Sequence, residues 1–231
     1  MRGIGPARQS APFNLLKLMR IPRSCTPLVE LGPCNPMHMT ILACVFMLRE
    51  VEVATALVSS WTLSESDQEI TWLLPGSKSD HMALGVRRSW PCLCGLDTMP
   101  CPFHLAKDHL QWLCASEFSS EPDAPLFPTI RGKMASKAHV VGTFDKLAEA
   151  TGEPLLNEDG CRRFGGHTPR VTGARHYATH GVEISKIRLI ARHSGETIMR
   201  YVLDAPLQSI RADLGLSPQG TKLMPYASTQ C

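Results

Sequence analysis

A single dipeptide, Thr168-Pro169, constrains the fold more than any other short feature of this sequence, because it marks the start of a helix. Threonine is a favoured N-cap residue, and proline is favoured at the first helical position, where it loses no hydrogen bond. The pair predicts a helix with Thr168 as its N-cap that runs to about Gly181. A second helix is expected from about Ile184 and a third from about Ser194, which Pro206 interrupts or ends.

The same part of the chain concentrates positive charge. Between Arg162 and Arg211, nine lysines and arginines stand against three acidic residues, so this stretch carries +6 while the whole chain carries +3. A basic face of this kind attracts phosphate polymers. The competing interpretation is a solvated surface that acids elsewhere in the chain balance.

Length and composition indicate a globular protein. With 231 residues, 43% hydrophobic and 19% charged, the chain can form one sizeable domain or two small ones and is unlike a disordered chain. The apolar run 41–48 is too short to cross a bilayer, which takes about 20 residues. Nine cysteines without a recognisable secretory signal favour reduced thiols or metal ligands over disulfides, and a nuclear or cytoplasmic location. Organelle targeting is the alternative, since residues 1–38 carry five cations, one acid and six prolines.

One arginine occupies an unusual position. The sequence "MTILACVFMLREVEVATAL", residues 39–57, predicts a buried helix, and Arg49 directly follows eight apolar residues in it. A guanidinium group cannot be deprotonated, so at the edge of a core it needs a carboxylate or a phosphate partner. An ion pair with Glu52 and a bound phosphate are both consistent with the sequence.

The remaining elements are a hairpin and two helices. Residues 69–92 predict two strands joined by a turn that contains Pro and Gly, with Lys78 near the tip. An amphipathic helix is expected at 103–118. Another is expected to begin at Thr143 as N-cap and to stop at Gly152.

A histidine and an arginine stand together at the start of the predicted helix. Arg170 lies in its first turn, three residues after His167. Free amide groups and the positive end of the helix dipole make such a place suited to a phosphate. Ordinary capping and surface charge are the alternative.

Six residues follow one another in an order that is typical of a single enzyme family. They are Arg49 in "MLREVE", Lys78 in "GSKSD", His167 and Arg170 in "GGHTPRVTGARHYATHG", and His193 and Tyr201 in "ARHSGETIMRY". In this order the chain resembles the tyrosine recombinase (phage integrase) family. The pattern is most similar to recombinases of eukaryotic mobile elements of the DIRS or Crypton kind.

The resemblance covers residues 39–215 and implies a catalytic domain. Its fold would be α+β, mostly α-helical with a small antiparallel β-hairpin or sheet. Residues 1–38 would form a Pro-rich N-terminal extension or truncated remnant, and residues 216–231 a C-terminal tail. A core-binding domain that completes a clamp around DNA in the family would be missing or reduced to the N-terminal residues.

The resemblance also implies a reaction, in which a DNA strand is cut and rejoined through a 3′-phosphotyrosyl intermediate without a metal or nucleotide cofactor. The partner would be double-stranded DNA, bound by a homo-oligomer and without a membrane. Tyr201 would be the nucleophile, His167 would take or guide its proton, and Lys78 would protonate the leaving 5′ oxygen. Arg49 and Arg170 would bind the phosphate oxygens, to which His193 would add a hydrogen bond.

Two positions depart from the family pattern. Ala191-Arg192 stand where Leu-Gly commonly precedes the second histidine, and the interval from His193 to Tyr201 is one residue shorter than the commonest form. The other two tyrosines fit other roles. Tyr177, two turns beyond Arg170, is expected to pack in the core, and Tyr226 follows Pro225 in a polar tail.

A second group of residues has metal-ligand chemistry. The sequence "CLCGLDTMPCPFH" holds Cys92, Cys94, Cys101 and His104, which can complete a tetrahedral structural zinc site after the hairpin. Free buried thiols are the alternative, since Cys92 and Cys94 are separated by one residue, whereas zinc-binding cysteine pairs usually have about two to four residues between them.

Two functions compete with strand transfer. The first is a catalytically inactive DNA-binding descendant of a mobile-element recombinase, which keeps the basic face. The second is a zinc-stabilised interaction module with no role on nucleic acid. Convergence of the six residues on one concave basic surface would distinguish the module from the other two.

Overall fold

The computed structural model describes residues 10–74, 85–95, 100–118, 120–192 and 197–202. Three antiparallel strands lie among helices, as the α+β prediction required. The helices are α1 (Leu15–Leu18), α2 (Pro36–Val45), α3 (Glu50–Ala54), α4 (Pro102–Ala115), α5 (Lys137–Ala150), α6 (Thr168–Thr179), α7 (Ile184–Ala191) and α8 (Thr197–Val202). The strands are β1 (Trp61–Ser64), β2 (Glu69–Leu74) and β3 (Val86–Pro91).

Helix α2 lies at the centre of the molecule, buried on all sides and packed against α4, α5 and α6. The prediction of one helix over 39–57 was wrong, because α2 ends and α3 begins within it. Met47 adopts a left-handed conformation with φ of 52°. Its amide and that of Leu48 donate to the carbonyls of Cys44 (3.2 Å) and Ala43 (2.8 Å). This Schellman-type ending provides hydrogen bonds to the last carbonyls of α2. The glycine that usually indicates such an ending in a sequence is replaced here by Met47.

The sheet has the order β1-β2-β3, and both pairs are antiparallel. The predicted hairpin is β2 paired with β3, with Glu69 opposite Pro91 and Leu74 opposite Val86. The strand β1 was not expected. It pairs Trp61 with Trp72. Their rings lie edge to face on the buried side of the sheet, with the ring centroids 5.1 Å apart.

Helix α6 packs very closely on α2. A Cβ atom added at Gly173 would lie 2.1 Å from the Cys44 carbonyl oxygen, so only glycine fits there. The helix starts at Thr168, so His167 is the N-cap and Thr168 the first helical residue, one position earlier than predicted. The helix ends before Gly181, which has φ of 76°.

The predicted start of one other helix needs correction. Helix α5 begins six residues before Thr143, because the Ser136 hydroxyl accepts a hydrogen bond from the His139 amide (3.2 Å) and caps it. Gly152 does follow the end of α5, with φ of 74°. Residues 36–38 lie in α2, and Leu18 is fully buried in the core. Among the described helices, none is both long and apolar enough to cross a membrane.

Candidate active site

A buried carboxylate, Glu52 in α3, organises the candidate site. Its side chain is only 5% exposed and accepts hydrogen bonds from three arginines that lie far apart in the sequence. Arg49 Nη2 lies 3.3 Å from Oε1, Arg170 Nη2 lies 3.1 Å from Oε2, and Arg192 Nη2 bonds Oε1. Burial alone would raise the pKa of Glu52, but the guanidinium groups of Arg170 and Arg192 outweigh it and hold the pKa below its usual value.

The break between α2 and α3 positions two of these groups. The Arg49 amide donates to Glu52 Oε2 (2.7 Å), so the glutamate reaches back to the residue that caps its own helix. The left-handed turn at Met47 presents its carbonyl to Arg170 Nε at 2.8 Å. Arg170 therefore has two fixed partners and is 6% exposed in its side chain, whereas Arg49 remains 28% exposed.

Arg192 joins the site because of its backbone conformation. It ends α7 in the left-handed region, with φ of 55° and ψ of 41°, where a glycine is usual. Its guanidinium group bonds Glu52, and only 5% of the side chain is exposed. Arg88 of β3 donates to the Leu189 carbonyl (2.6 Å), which holds the end of α7 against the sheet.

His167 lies at the N-terminus of α6, beside the arginines. The Glu50 amide donates to the Gly166 carbonyl (3.0 Å), so the starts of α3 and α6 meet. A Cβ atom at Gly166 would lie 2.0 Å from Glu50 Oε2, which shows how closely this carboxylate covers the backbone. Partial burial and then the Arg170 guanidinium lower the pKa of His167, so the imidazole is neutral near pH 7 and can accept a proton.

The cluster carries surplus positive charge. The three guanidinium groups around Glu52 stand against two carboxylates, Glu50 and Glu52, which leaves one net positive charge. Two cations of the basic stretch pair with acids outside that stretch. Arg162 binds Asp145, and Arg163 lies 3.7 Å from Glu153. Part of the +6 is therefore balanced, as the competing interpretation expected.

The described residues bring together three of the six predicted site residues: Arg49, His167 and Arg170. Lys78 and His193 lie outside the described residues. Tyr201 lies in α8, as expected, but its side chain is outside the description. Tyr177 packs in the core as predicted, with its hydroxyl donating to the Val45 carbonyl (2.6 Å) and its ring stacked on Trp90.

Two members of the site were not selected from the sequence as site residues. Glu52 was considered only as a partner for Arg49, and Arg192 only as a departure from Leu-Gly. A signal for Arg192 existed, because a position that favours glycine in related sequences demands a left-handed backbone. Glu52 has only a local signal, its spacing of three residues from Arg49. The contacts with Arg170 and Arg192 bridge 118 and 140 positions.

The predicted metal ligands also come together. The ligand atoms of Cys92, Cys94, Cys101 and His104 lie within 4.8 Å of one another, between the end of β3 and the start of α4. These residues can hold a metal ion.

Comparison with solved structures identifies the fold. XerH site-specific recombinase bound to palindromic difH matches 90% of this chain and 53% of its own, with a TM-score of 0.57 and 16% identity. A lambda integrase (residues 75–356) dimer bound to a COC′ core site matches 95% and 65%, also at 0.57 and 16%. XerA recombinase matches 95% and 68%, at 0.54 and 12%. The chain thus has the fold of the tyrosine recombinase catalytic domain and spans about half to two thirds of the length of these proteins.

Sequence comparisons add nothing to this likeness. No family model matches the chain. No curated protein matches it either.

Proposed function

We propose that this chain is the catalytic domain of a DNA strand-transfer enzyme of the tyrosine recombinase type. The observation that carries the proposal is the convergence of Arg49, Arg170 and His167 around buried Glu52, in a fold whose solved examples include DNA-bound recombinases. Two arginines beside a neutral histidine at the N-terminus of a long helix suit a phosphodiester.

The proposed reaction is a transesterification. The Tyr201 hydroxyl oxygen attacks the phosphorus of a DNA phosphodiester, and its proton passes to His167, whose lowered pKa keeps it able to accept. The bond from phosphorus to the 5′ oxygen breaks, and Lys78 gives that oxygen a proton. A 3′-phosphotyrosyl link forms. The reverse attack by a 5′ hydroxyl rejoins the strand.

The arginines stabilise the transition state in this scheme. Negative charge grows on the phosphate oxygens as tyrosine attacks, and fixed donors stabilise it without reorganising. Glu52 and the Met47 carbonyl fix Arg170, while Arg49, which is more exposed, donates to the phosphate. His193 adds a further hydrogen bond. Arg192 is a positioning residue that shares Glu52 with the other two.

Side chains supply every proton transfer and charge in this reaction, so the proposal uses no metal or nucleotide cofactor. A zinc ion at the cysteine cluster would be structural. The partner is double-stranded DNA, bound by a homo-oligomer. From the sequence pattern around His167 and Tyr201 alone, we further propose an origin among mobile-element recombinases of the DIRS or Crypton kind.

Covalent trapping tests the proposal without knowledge of the target site. DNA duplexes with randomised sequence would carry a sulfur atom in place of one bridging 5′ oxygen. Cleavage there releases a 5′ thiol, which rejoins poorly, so the protein–DNA adduct accumulates and its DNA can be sequenced. We expect an adduct with the wild-type protein and none with Tyr201→Phe. Tyr226→Phe is the matched control and should keep the adduct.

Comparing sulfur and oxygen leaving groups distinguishes the proton donor, Lys78, from the nucleophile, Tyr201. Because a thiol leaves without protonation, Lys78→Ala should cleave the sulfur substrate but lose cleavage of ordinary DNA. An adduct that survives Tyr201→Phe would refute the assignment of the nucleophile. No adduct with any variant, together with salt-dependent DNA binding, would refute catalysis and establish the inactive descendant. Absence of both adduct and binding would overturn the DNA role altogether.

A further inference from the structure

Four side chains at the junction of β3 and α4 have the geometry of a metal site. His104 Nδ1 lies 3.1 Å from Cys94 Sγ, 3.2 Å from Cys101 Sγ and 3.7 Å from Cys92 Sγ. The sulfur atoms of Cys92 and Cys101 are 3.6 Å apart. One nitrogen and three sulfurs thus surround a single point.

These separations lie within about 1 Å of those expected for tetrahedral zinc. Zinc bonds of about 2.3 Å to sulfur and about 2.0 to 2.1 Å to nitrogen place tetrahedral ligands about 3.8 Å apart for two sulfurs and about 3.6 Å for sulfur and nitrogen. A disulfide requires about 2.05 Å. Cys92 and Cys101 are well beyond that distance, and the described cysteines are all free thiols.

The backbone around the cluster positions its ligand atoms. Cys101 is the N-cap of α4 and His104 lies in its first turn, so the positive end of a 14-residue helix points at the cluster. The Leu93 amide donates to Cys101 Sγ at 3.2 Å, a contact that orients a ligating sulfur. The Cys92 amide donates to the Gln68 carbonyl (2.7 Å) and fixes this ligand to the end of the sheet.

We propose that Cys92, Cys94, Cys101 and His104 bind one Zn²⁺ ion in a closed structural site, with His104 coordinating through Nδ1. Four protein ligands fill a tetrahedral shell and leave no position for a water nucleophile, so the ion has a structural and not a catalytic role. It offsets the charge of three adjacent thiolates. It also joins the end of the β2–β3 hairpin to α4.

Metal content and cobalt spectroscopy test the site. Protein purified without chelators should contain one zinc per chain, released when a mercurial reagent blocks the thiols. Replacement by Co²⁺ should give thiolate charge-transfer absorption and the intense visible bands of a tetrahedral site. Cys101→Ser should lose both signals. Cys114→Ser is the matched control, because Cys114 is an exposed thiol of the same helix outside the cluster, and it should keep both.

Three outcomes would overturn the proposal. They are wild-type protein that lacks zinc and gives no tetrahedral cobalt spectrum when reduced, equal loss of metal in both serine variants, and a thiol count that reveals a disulfide within the cluster. If Cys101→Ser does not fold, the wild-type cobalt spectrum still decides. None of these results depends on DNA cleavage.

Discussion

At the scale of single residues, Arg192 combines an unfavourable backbone with a favourable side chain. A left-handed conformation costs a non-glycine residue about 1 kcal/mol, because its Cβ crowds the next carbonyl. The contact with Glu52 offsets this cost by placing the guanidinium in the buried cluster. Arg192 therefore occupies a position where glycine would have less backbone strain.

The backbone cost can be measured by comparing two variants. Arg192→Gly and Arg192→Ala both remove the guanidinium, so both should destabilise the protein. Glycine tolerates the left-handed backbone, so Arg192→Gly should be more stable than Arg192→Ala by about 1 kcal/mol in urea unfolding. Leu189 lies on the same helix, is exposed and has a right-handed helical backbone. At this position Leu189→Ala should therefore be more stable than Leu189→Gly. The same order at both positions would refute the backbone argument.

At the scale of elements, the close contact of α2 and α6 positions the site. The contact brings the start of α6 beside the left-handed turn that ends α2, and it depends on Gly173. A methyl group there would meet backbone, which cannot move aside as a flexible side chain can.

Gly173→Ala should destabilise the protein although alanine is the better helix former. Forced separation of the helices typically costs about 1 to 3 kcal/mol, which exceeds the gain of about 1 kcal/mol in helix propensity. Gly142 in α5 is the control, because a Cβ there would lie at an ordinary 3.6 Å from Val29 Cγ1. Gly142→Ala should be neutral or stabilising. Thermal unfolding measures the stability of both variants. A Gly173→Ala variant as stable as the wild type would contradict the close approach of α2 and α6.

At the scale of the whole molecule, buried histidines link stability to pH. His109 is fully buried, with Nδ1 3.1 Å from Asn35 Nδ2 and Nε2 2.7 Å from the Leu126 carbonyl. Burial lowers its pKa to about 4 from 6.5, although the hydrogen bond to Leu126 opposes the shift. Burial and then the neighbouring His180 lower the pKa of His176 to about 4 as well.

Stability should fall as the pH drops from 6.5 to 4. In that window the unfolded chain binds protons at these histidines and the folded protein does not, so protons favour unfolding; above pH 6.5 this contribution is constant. His109 alone accounts for a loss of up to about 3 kcal/mol. In urea unfolding across this range, His109→Gln should flatten the pH dependence, whereas His139→Gln at a partly exposed position should leave it unchanged. An unaltered slope in His109→Gln would disprove the link.

The sequence by itself determined the features that depend on neighbouring residues. The start of α6 near Thr168-Pro169, the β2–β3 pairing and the grouping of Cys92, Cys94, Cys101 and His104 follow from local chemistry within a few residues or one hairpin. The order of the family residues also predicted the fold that the solved structures share.

Only the tertiary structure decided which side chains meet. The end of α2 at Met47 was missed because a non-glycine residue takes the left-handed position there. The convergence of Arg170 and Arg192 on Glu52 depends on the packing of α6 and α7 beside α3, across more than a hundred positions of sequence. Local propensity carries no information on such distances, because the burial of α2 and the close approach at Gly173 set them.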